Sequence, residues 1–279
     1  MSTLAHLSDL HFGTEDPAVV RGLLLDLARV RPLAVVVSGD LTQRARTREF
    51  LACRRFLDRL PAPALVVPGN HDVVPLHRPF ERLLTPFAGY REHIALDLEP
   101  ALDLGRVALQ GICTPRALAV TSGRVSREQL GRLRARLAPL PRTTFKVLVA
   151  HHPFLMPTWG RHHSLIGGVE DALTALDHSG VDLLLAGHLH VPFVGGSNAH
   201  PALRGHTLVV QAGTAVSRRT RGEANSYNVI EVHGDEVRVE VRLWSGDRFT
   251  DGGRDLYRRH DGRWRREGGV SPTYVRTGG

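Results

Sequence analysis

The chain has 279 residues, 42% of them apolar, which is enough to bury a sizeable core, and it carries a formal net charge of +8. Its first residues, Met1 to Gly13, lack the basic flank of a secretory signal, and no apolar run approaches the ~18 to 20 residues of a spanning helix, so a cytoplasmic protein without a membrane span is expected. Only Lys146 among 36 basic residues is a lysine; the arginines are spread along the chain and interleaved with Asp and Glu from Asp247 to Glu267, which reads as a solvated surface and does not favour nucleic acid as the partner.

In chain order, short apolar runs alternate with amphipathic stretches, the signature of an α/β protein. Leu4 to Leu7 is the first strand. Asp16 and Pro17 form an N-cap and N1 pair, and Val20, Leu23, Leu24, Leu27 and Val30 follow at helical spacing until Arg31 and Pro32. Ala34 to Val37 is a second strand, Phe50, Cys53, Leu57 and Leu60 line the next helix, and Leu65 to Val67 is a third strand ended by Pro68 and Gly69. Val107 to Ile112 is a strand, and Ser126 with Gln129 makes a capping box for a helix carrying Leu130, Leu133 and Leu137. Lys146 to Ala150 and Leu183 to Ala186 are strands flanking a helix around Val169 to Leu176, stopped at Gly180. His206 to Gln211, Tyr227 to Val232 and Glu236 to Trp244 are further strands, the last two joined by a turn at Gly234 and Asp235. Gly195 to His200 and Ser245 to Gly253 read as polar loops, and Glu267 to Gly279 as patternless, frayed or crossing to a partner subunit. With no repeat and no linker, residues 1–279 are expected to form a single domain, with 245–279 a strand-rich or partly extended C-terminal extension. Cys53 and Cys113 are too few for a disulfide framework and suit a reducing compartment.

The chemistry lies at the strand ends. Asp9-Leu10-His11 follows the first strand, Gly39-Asp40 the second, Gly69-Asn70-His71-Asp72 the third, His151-His152-Pro153 the strand from Lys146, and Gly187-His188-Leu189-His190 the strand from Leu183. Ligand sites in open α/β sheets gather outside the carboxyl ends of strands, so these segments can converge. The i, i+2 spacing of Asp9 with His11 and of His188 with His190 lets each pair face one centre, and the preceding glycines permit a sharp exit from the strand. Mixed imidazole and carboxylate donors fit Zn, Fe or Mn better than Mg or Ca.

These blocks, in this order, resemble the calcineurin-like metallophosphoesterases, and most closely bacterial cyclic-nucleotide and glycerophosphodiester phosphodiesterases. The resemblance covers Leu4 to His190 and extends to the Gln211-Ala-Gly-Thr214 segment. It implies a four-layer α-β-β-α sandwich of two mixed sheets flanked by helices. It also implies two metal ions, one held by Asp9, His11, Asp40 and His190, the other by Asp40, Asn70, His151 and His188. Asp40 would bridge them, and a shared hydroxide would attack the phosphorus of a small phosphate ester. His71 would then serve as general acid on the leaving oxygen.

Relatives in this superfamily often place an Asp three residues after the Gly-Asp block to orient the catalytic imidazole; here that residue is Gln43, with Asp72 as a candidate substitute. Arg44 falls where protein phosphatases of the superfamily clamp phosphate, against a plain surface role. His152 reads as an orienting residue and not a ligand; His162 and His163 read as exposed loop histidines, and Trp159 as a loop anchor or a stacking platform. A phosphodiesterase is the first expectation, ahead of a phosphomonoesterase or nucleotidase, a nuclease, and a non-catalytic protein-binding scaffold. A homodimer stays open.

Overall fold

The computed structural model describes residues 1–155, 166–195 and 206–270. In chain order the elements are β1 (Ser2–Leu7), α1 (Pro17–Val30), β2 (Ala34–Ser38), α2 (Thr47–Leu57), β3 (Ala64–Val67), a 3-10 turn (Asn70–Asp72), α3 (Pro79–Leu84), α4 (Ala88–His93), β4 (Ala101–Asp103) and β5 (Val107–Gly111). There follow α5 (Arg127–Leu137), β6 (Phe145–Val149), α6 (Val169–Ser179), β7 (Leu183–Ala186), β8 (Phe193–Gly195), β9 (Leu208–Gln211), β10 (Ser226–His233), β11 (Glu236–Trp244), β12 (Phe249–His260) and β13 (Arg263–Val270).

Alternation along the strands sorts the apolar side chains into three layers. On β1 and β2, Ala5, Leu7, Val35 and Val37 face α1 and α2, packing with Leu23, Leu27, Phe50, Cys53 and Phe56. Leu4, Ala34 and Val36 face the other way, into a core shared with Val147, Val149, Leu183, Leu185, Leu208 and Val210. Beyond that second sheet, Leu148, Leu184 and Val209 pack on Leu130, Leu133 and Leu137 of α5 and Leu173 and Leu176 of α6. The result is the expected four-layer α-β-β-α sandwich. One sheet runs β13-β12-β11-β10-β1-β2-β3, the other β4-β5-β6-β7-β9-β8. Both are mixed: β1, β2 and β3 are parallel, as are β5, β6, β7 and β9, while β10 is antiparallel to β1 and β8 to β9.

The local signals act as read. Asp16 accepts from the Ala18 amide at 2.8 Å, Pro17 opens α1, and Arg31 closes it in the left-handed region. Ser126 and Gln129 make the reciprocal capping box of α5, and Gly180 closes α6 at φ 64°. A buried carboxylate, Asp26, ties α1 to the sheet: it accepts from the Tyr227 hydroxyl at 2.6 Å and from Arg242 Nε and Nη2 at 3.0 and 2.9 Å.

The C-terminal third differs from the sequence reading. Ser245 to Gly253, read as a loop, contains the start of β12, and the part of Glu267 to Gly279 that lies among the described residues belongs to β13. These strands have no clean alternation because pairing holds them: β12 follows β11 from Phe249 to Arg258 with one bulge, and β13 follows β12. Phe249 and Tyr257 of β12 are buried in the cores on either face, and so is Trp264 of β13, whose indole N–H donates to the Asp182 carbonyl at 3.2 Å. Among the described residues no helix is long and apolar enough to cross a membrane.

Candidate metal centre

Because β1, β2, β3, β6 and β7 are parallel within their sheets, their carboxyl ends bring five loops to one edge of the sandwich. The backbone turns abruptly there. Asp9, His11, Asp40, His188 and His190 all have positive φ, of 52°, 44°, 53°, 72° and 63°. The i, i+2 pairs therefore converge through left-handed turns, not through the extended alternation expected from their spacing. A left-handed L-residue costs about 1 to 2 kcal/mol, so the five together hold strain that is a substantial fraction of a domain's net stability. Hydrogen bonds fix these turns: the Asp9 amide donates to the Gly39 carbonyl at 3.1 Å, His11 to Asp40 at 2.9 Å, and the His188 amide to Asp9 Oδ2 at 3.0 Å. Close approach accounts for two of the glycines. A Cβ on Gly69 would lie 2.1 Å from both the amide and Oδ1 of Asp40, and one on Gly187 would lie 1.8 Å from Ser8 Oγ.

All seven candidate ligand residues meet. His190 Nε2 is 3.5 Å and His11 Nε2 is 3.7 Å from Asp9 Oδ1, and His11 Nε2 is 3.6 Å from Asp40 Oδ2. The other oxygen, Asp40 Oδ1, is 3.3 Å from His151 Nε2. Asn70 Oδ1 lies 3.1 Å from both His151 Nε2 and His188 Nδ1. Two donor sets thus adjoin, with one carboxylate between them.

The ring tautomers follow from their outer partners. His151 Nδ1 must donate to the Ser38 carbonyl at 2.8 Å, and His11 Nδ1 to the Thr42 carbonyl at 3.3 Å, because a carbonyl only accepts. Thr214 Oγ1 donates to the Arg219 carbonyl at 3.1 Å, so it accepts from His190 Nδ1 at 2.7 Å. In their neutral forms the three rings are left aiming Nε2 lone pairs at carboxylate oxygens. Acceptor faces acceptor, and Asp9 Oδ1 and His11 Nε2 are buried with no hydrogen-bond partner. Buried acceptors crowded without a donor are what a divalent cation satisfies, so these residues fit one.

Burial pushes His188 down to about 3 and His190 to about 4, keeping both rings neutral and able to ligate. Burial also works against the charged form of His151, but the Asp40 carboxylate reverses this and raises it to about 9, a proton that a cation would replace. Burial disfavours the ionised forms of Asp9 and Asp40, yet the surrounding imidazoles outweigh it and hold both below the usual carboxylate range.

His71 stands at the edge of this cage, its ring centroid 4.7 Å from that of His11. Its Nδ1 donates to the backbone carbonyl of Gln43 at 2.8 Å. The position that lacks the orienting Asp therefore orients the imidazole with its main chain. Asp72 does not substitute: its carboxylate accepts from the amides of Leu41, Thr42 and Gly69 at 3.1, 2.9 and 2.8 Å and from the Thr42 hydroxyl at 3.0 Å, pinning the Asp40 loop to the Asn70 loop. Burial and the Asp40 charge raise Asp72 to about 6.

From Asn70 and His71 a cleft of about 790 Å³ opens along Gln43, Arg44, Leu76 and Val120. Arg44 is exposed there, on the cleft wall and not on a remote surface. His152 is buried with both nitrogens committed, to Thr114 Oγ1 at 2.8 Å and to the Thr121 carbonyl at 3.1 Å, while its ring packs 5.0 Å from His151 and 4.8 Å from His188. Trp159, His162 and His163 lie outside the described residues.

Sequence reasoning missed the residues behind the ligands. His6 is buried between the sheets, pushed down to about 3 by burial, and its Nε2 donates to Ser38 Oγ at 2.9 Å beneath His151. Arg219 reaches His71 Nε2 at 2.7 Å. Among so many arginines its sequence offered no signal, whereas Thr214 had been marked by the Gln-Ala-Gly-Thr segment.

A family model for calcineurin-like phosphoesterases matches residues 2–192. Glycerophosphodiester phosphodiesterase GpdQ of Enterobacter lignolyticus is 36% identical over 98 residues, spanning 31% of this chain and 35% of that protein. The 3',5'-cyclic adenosine monophosphate phosphodiesterase CpdA of Escherichia coli is 26% identical over 222 residues, 77% of this chain and 76% of that protein. Among solved structures, the purple acid phosphatase PPD1 of yellow lupin superposes with a TM-score of 0.64 at 13% identity, over 90% of this chain and 52% of that one, a likeness of fold. The match thus spans about a third of GpdQ and about half of the lupin enzyme.

Proposed function

The chain belongs to the calcineurin-like phosphoesterases, and on that footing we propose that it is a phosphodiesterase with a binuclear metal centre. Asp9, His11, Asp40 and His190 would hold one cation, and Asp40, Asn70, His151 and His188 the other. The observation that carries this reading is the splay of Asp40, with Oδ2 toward His11 at 3.6 Å and Oδ1 toward His151 at 3.3 Å, so that one carboxylate serves both sets. Imidazole, carboxylate and amide donors together suit manganese, iron or zinc. When bound, such cations activate water at neutral pH and neutralise charge on phosphoryl oxygens.

The chain's own residues do the rest. Ser38, Thr42 and Thr214 lock three imidazoles by their outer nitrogens, so the ligand atoms need no reorganisation. Asp40 is the shared anchor, and its Oδ1 also accepts the His71 amide at 2.9 Å, which fixes the general acid relative to the cage. His71, held at Nδ1 by Gln43, presents Nε2 to the leaving oxygen and, from its doubly protonated form, which burial disfavours and the Asp40 carboxylate favours, donates the Nε2 proton and is left neutral. The cleft beyond His71 leaves room for the second ester arm of a diester; of its lining arginines, Arg46 and Arg78 pair with Glu49 and Glu81 and Arg82 donates to the Ala117 and Ala119 carbonyls, while the exposed Arg44 suits an anionic substrate.

A second reading, phosphomonoesterase, is favoured by Arg44, whose guanidinium on the cleft wall suits a terminal phosphate. Rates on bis-p-nitrophenyl phosphate and p-nitrophenyl phosphate separate the two. The diester is expected to turn over faster with manganese and to stop on chelation; a clear preference for the monoester would replace the first reading with the second. Cleavage of single-stranded DNA would point to a nuclease instead, and loss of all hydrolysis with metal bound to a scaffold.

A further inference from the structure

We propose that Arg219 is a phosphate-binding residue of this site, which leaves His71 and takes hold of a phosphoryl oxygen when a phosphate ester enters; the proposal rests on the phosphoesterase reading above. A guanidinium only donates, so its Nη1 at 2.7 Å occupies the lone pair of His71 Nε2. That is the atom which must face the leaving oxygen and carry a proton. Arg219 and the leaving group cannot occupy it together, so the guanidinium has to move as substrate arrives.

What keeps it nearby is its main chain, which is built into the cage. The Arg219 amide donates to Ser217 Oγ at 3.1 Å, and its carbonyl accepts from the same Thr214 hydroxyl that orients His190. The loop is tied on both sides: Ala215 donates to the Ser8 carbonyl at 3.0 Å, Arg218 to the Thr14 carbonyl at 3.0 Å, and Asn225 Nδ2 to the Ser217 carbonyl at 2.8 Å. A fixed backbone with a long side chain lets the charged head swing without moving the loop.

What draws it to phosphate is electrostatic. Among the described residues Arg219 makes no ion pair with a carboxylate, and a neutral imidazole is a weak partner for a guanidinium compared with a phosphoryl oxygen. Two residues on, Arg221 is partly desolvated and feels the Arg219 cation and the carboxylates of Asp9 and Asp40, so a second guanidinium lies near the cage.

The test is a double-mutant cycle read by phosphate binding. Arg219→Gln, Arg219→Lys, His71→Ala and the Arg219→Gln/His71→Ala double variant are prepared with manganese and titrated calorimetrically with inorganic phosphate, alongside kcat and KM for bis-p-nitrophenyl phosphate. Arg219→Gln is expected to weaken phosphate binding by roughly 10- to 100-fold, the loss of a charge-assisted contact, and Arg219→Lys by less. The same loss is expected in the His71→Ala background, because the contact is made to the anion itself. Unchanged phosphate affinity in Arg219→Gln overturns the proposal. So does a loss that vanishes once His71 is alanine, since Arg219 would then act only by positioning the imidazole. Wild-type protein that hydrolyses the diester while Arg219→Gln binds phosphate normally defeats this proposal alone; wild-type protein that neither hydrolyses diester nor binds phosphate defeats it together with the phosphoesterase reading.

Discussion

The Ser38 carbonyl accepts a hydrogen bond from His151 Nδ1 at 2.8 Å, joining the end of β2 in one sheet to the end of β6 in the other across 113 residues of sequence. Its hydroxyl meanwhile accepts from His6 Nε2 at 2.9 Å, so one serine orients a candidate ligand with its main chain and satisfies a buried imidazole with its side chain.

These two duties can be separated. Ser38→Ala removes only the hydroxyl and strands the His6 N–H in the inter-sheet core, a loss of about 1 to 3 kcal/mol of stability. Metal content is expected to stay at the wild-type level, because His151 bonds to the carbonyl. Urea unfolding with elemental analysis checks both, and loss of metal at unchanged stability would reverse the assignment.

Asp72 holds two loops by four hydrogen bonds, and Asp72→Ala leaves three buried amides without an acceptor. Stability is expected to fall on the order of 3 kcal/mol or more, and kcat to fall with it because the Asp40 and His71 loops lose their common pin. Asp72→Asn keeps one carbonyl oxygen and should recover part of both. A variant as stable and active as wild type would show that the backbone bonds alone suffice.

Partial burial raises the Cys113 thiol to about 12, although the residue reaches a surface pocket, and Cys53, fully buried, lies well above the usual thiol range, so neither ionises near neutral pH. Native protein at pH 8 is therefore expected to resist iodoacetamide at both positions and to take up two labels in urea, read by mass spectrometry. Rapid labelling of native Cys113 would show that its thiol ionises at pH 8 and contradict the raised value, and labelling of native Cys53 would contradict its burial.

The candidate ligand residues were legible in the sequence because each is a local signal: a strand end, in three of the five blocks a glycine, and a metal-binding residue type at a fixed spacing. The α/β alternation was legible for the same reason, since β1, β2, β6 and β7 are short apolar runs that need no partner to be recognised, whereas the four-layer sandwich was implied by the family resemblance. Beyond these, meaning comes from contact. Gln43 matters through its carbonyl, which no side-chain pattern encodes, and Arg219 reaches His71 from 148 residues away. β12 and β13 carry glycines and mixed charges that read as a loop until β11 supplies a ladder, and only widely spaced aromatics, Phe249, Tyr257 and Trp264, anchor them in the core.

Metal stoichiometry tests the shared role of Asp40 most directly. Elemental analysis of protein purified with manganese should find close to two equivalents in the wild type. In a folded Asp40→Ala variant it should find nearly none, with diester hydrolysis lost, because both sets share that carboxylate. Two equivalents retained after Asp40→Ala, or a wild type that holds a single ion at saturation, would contradict it.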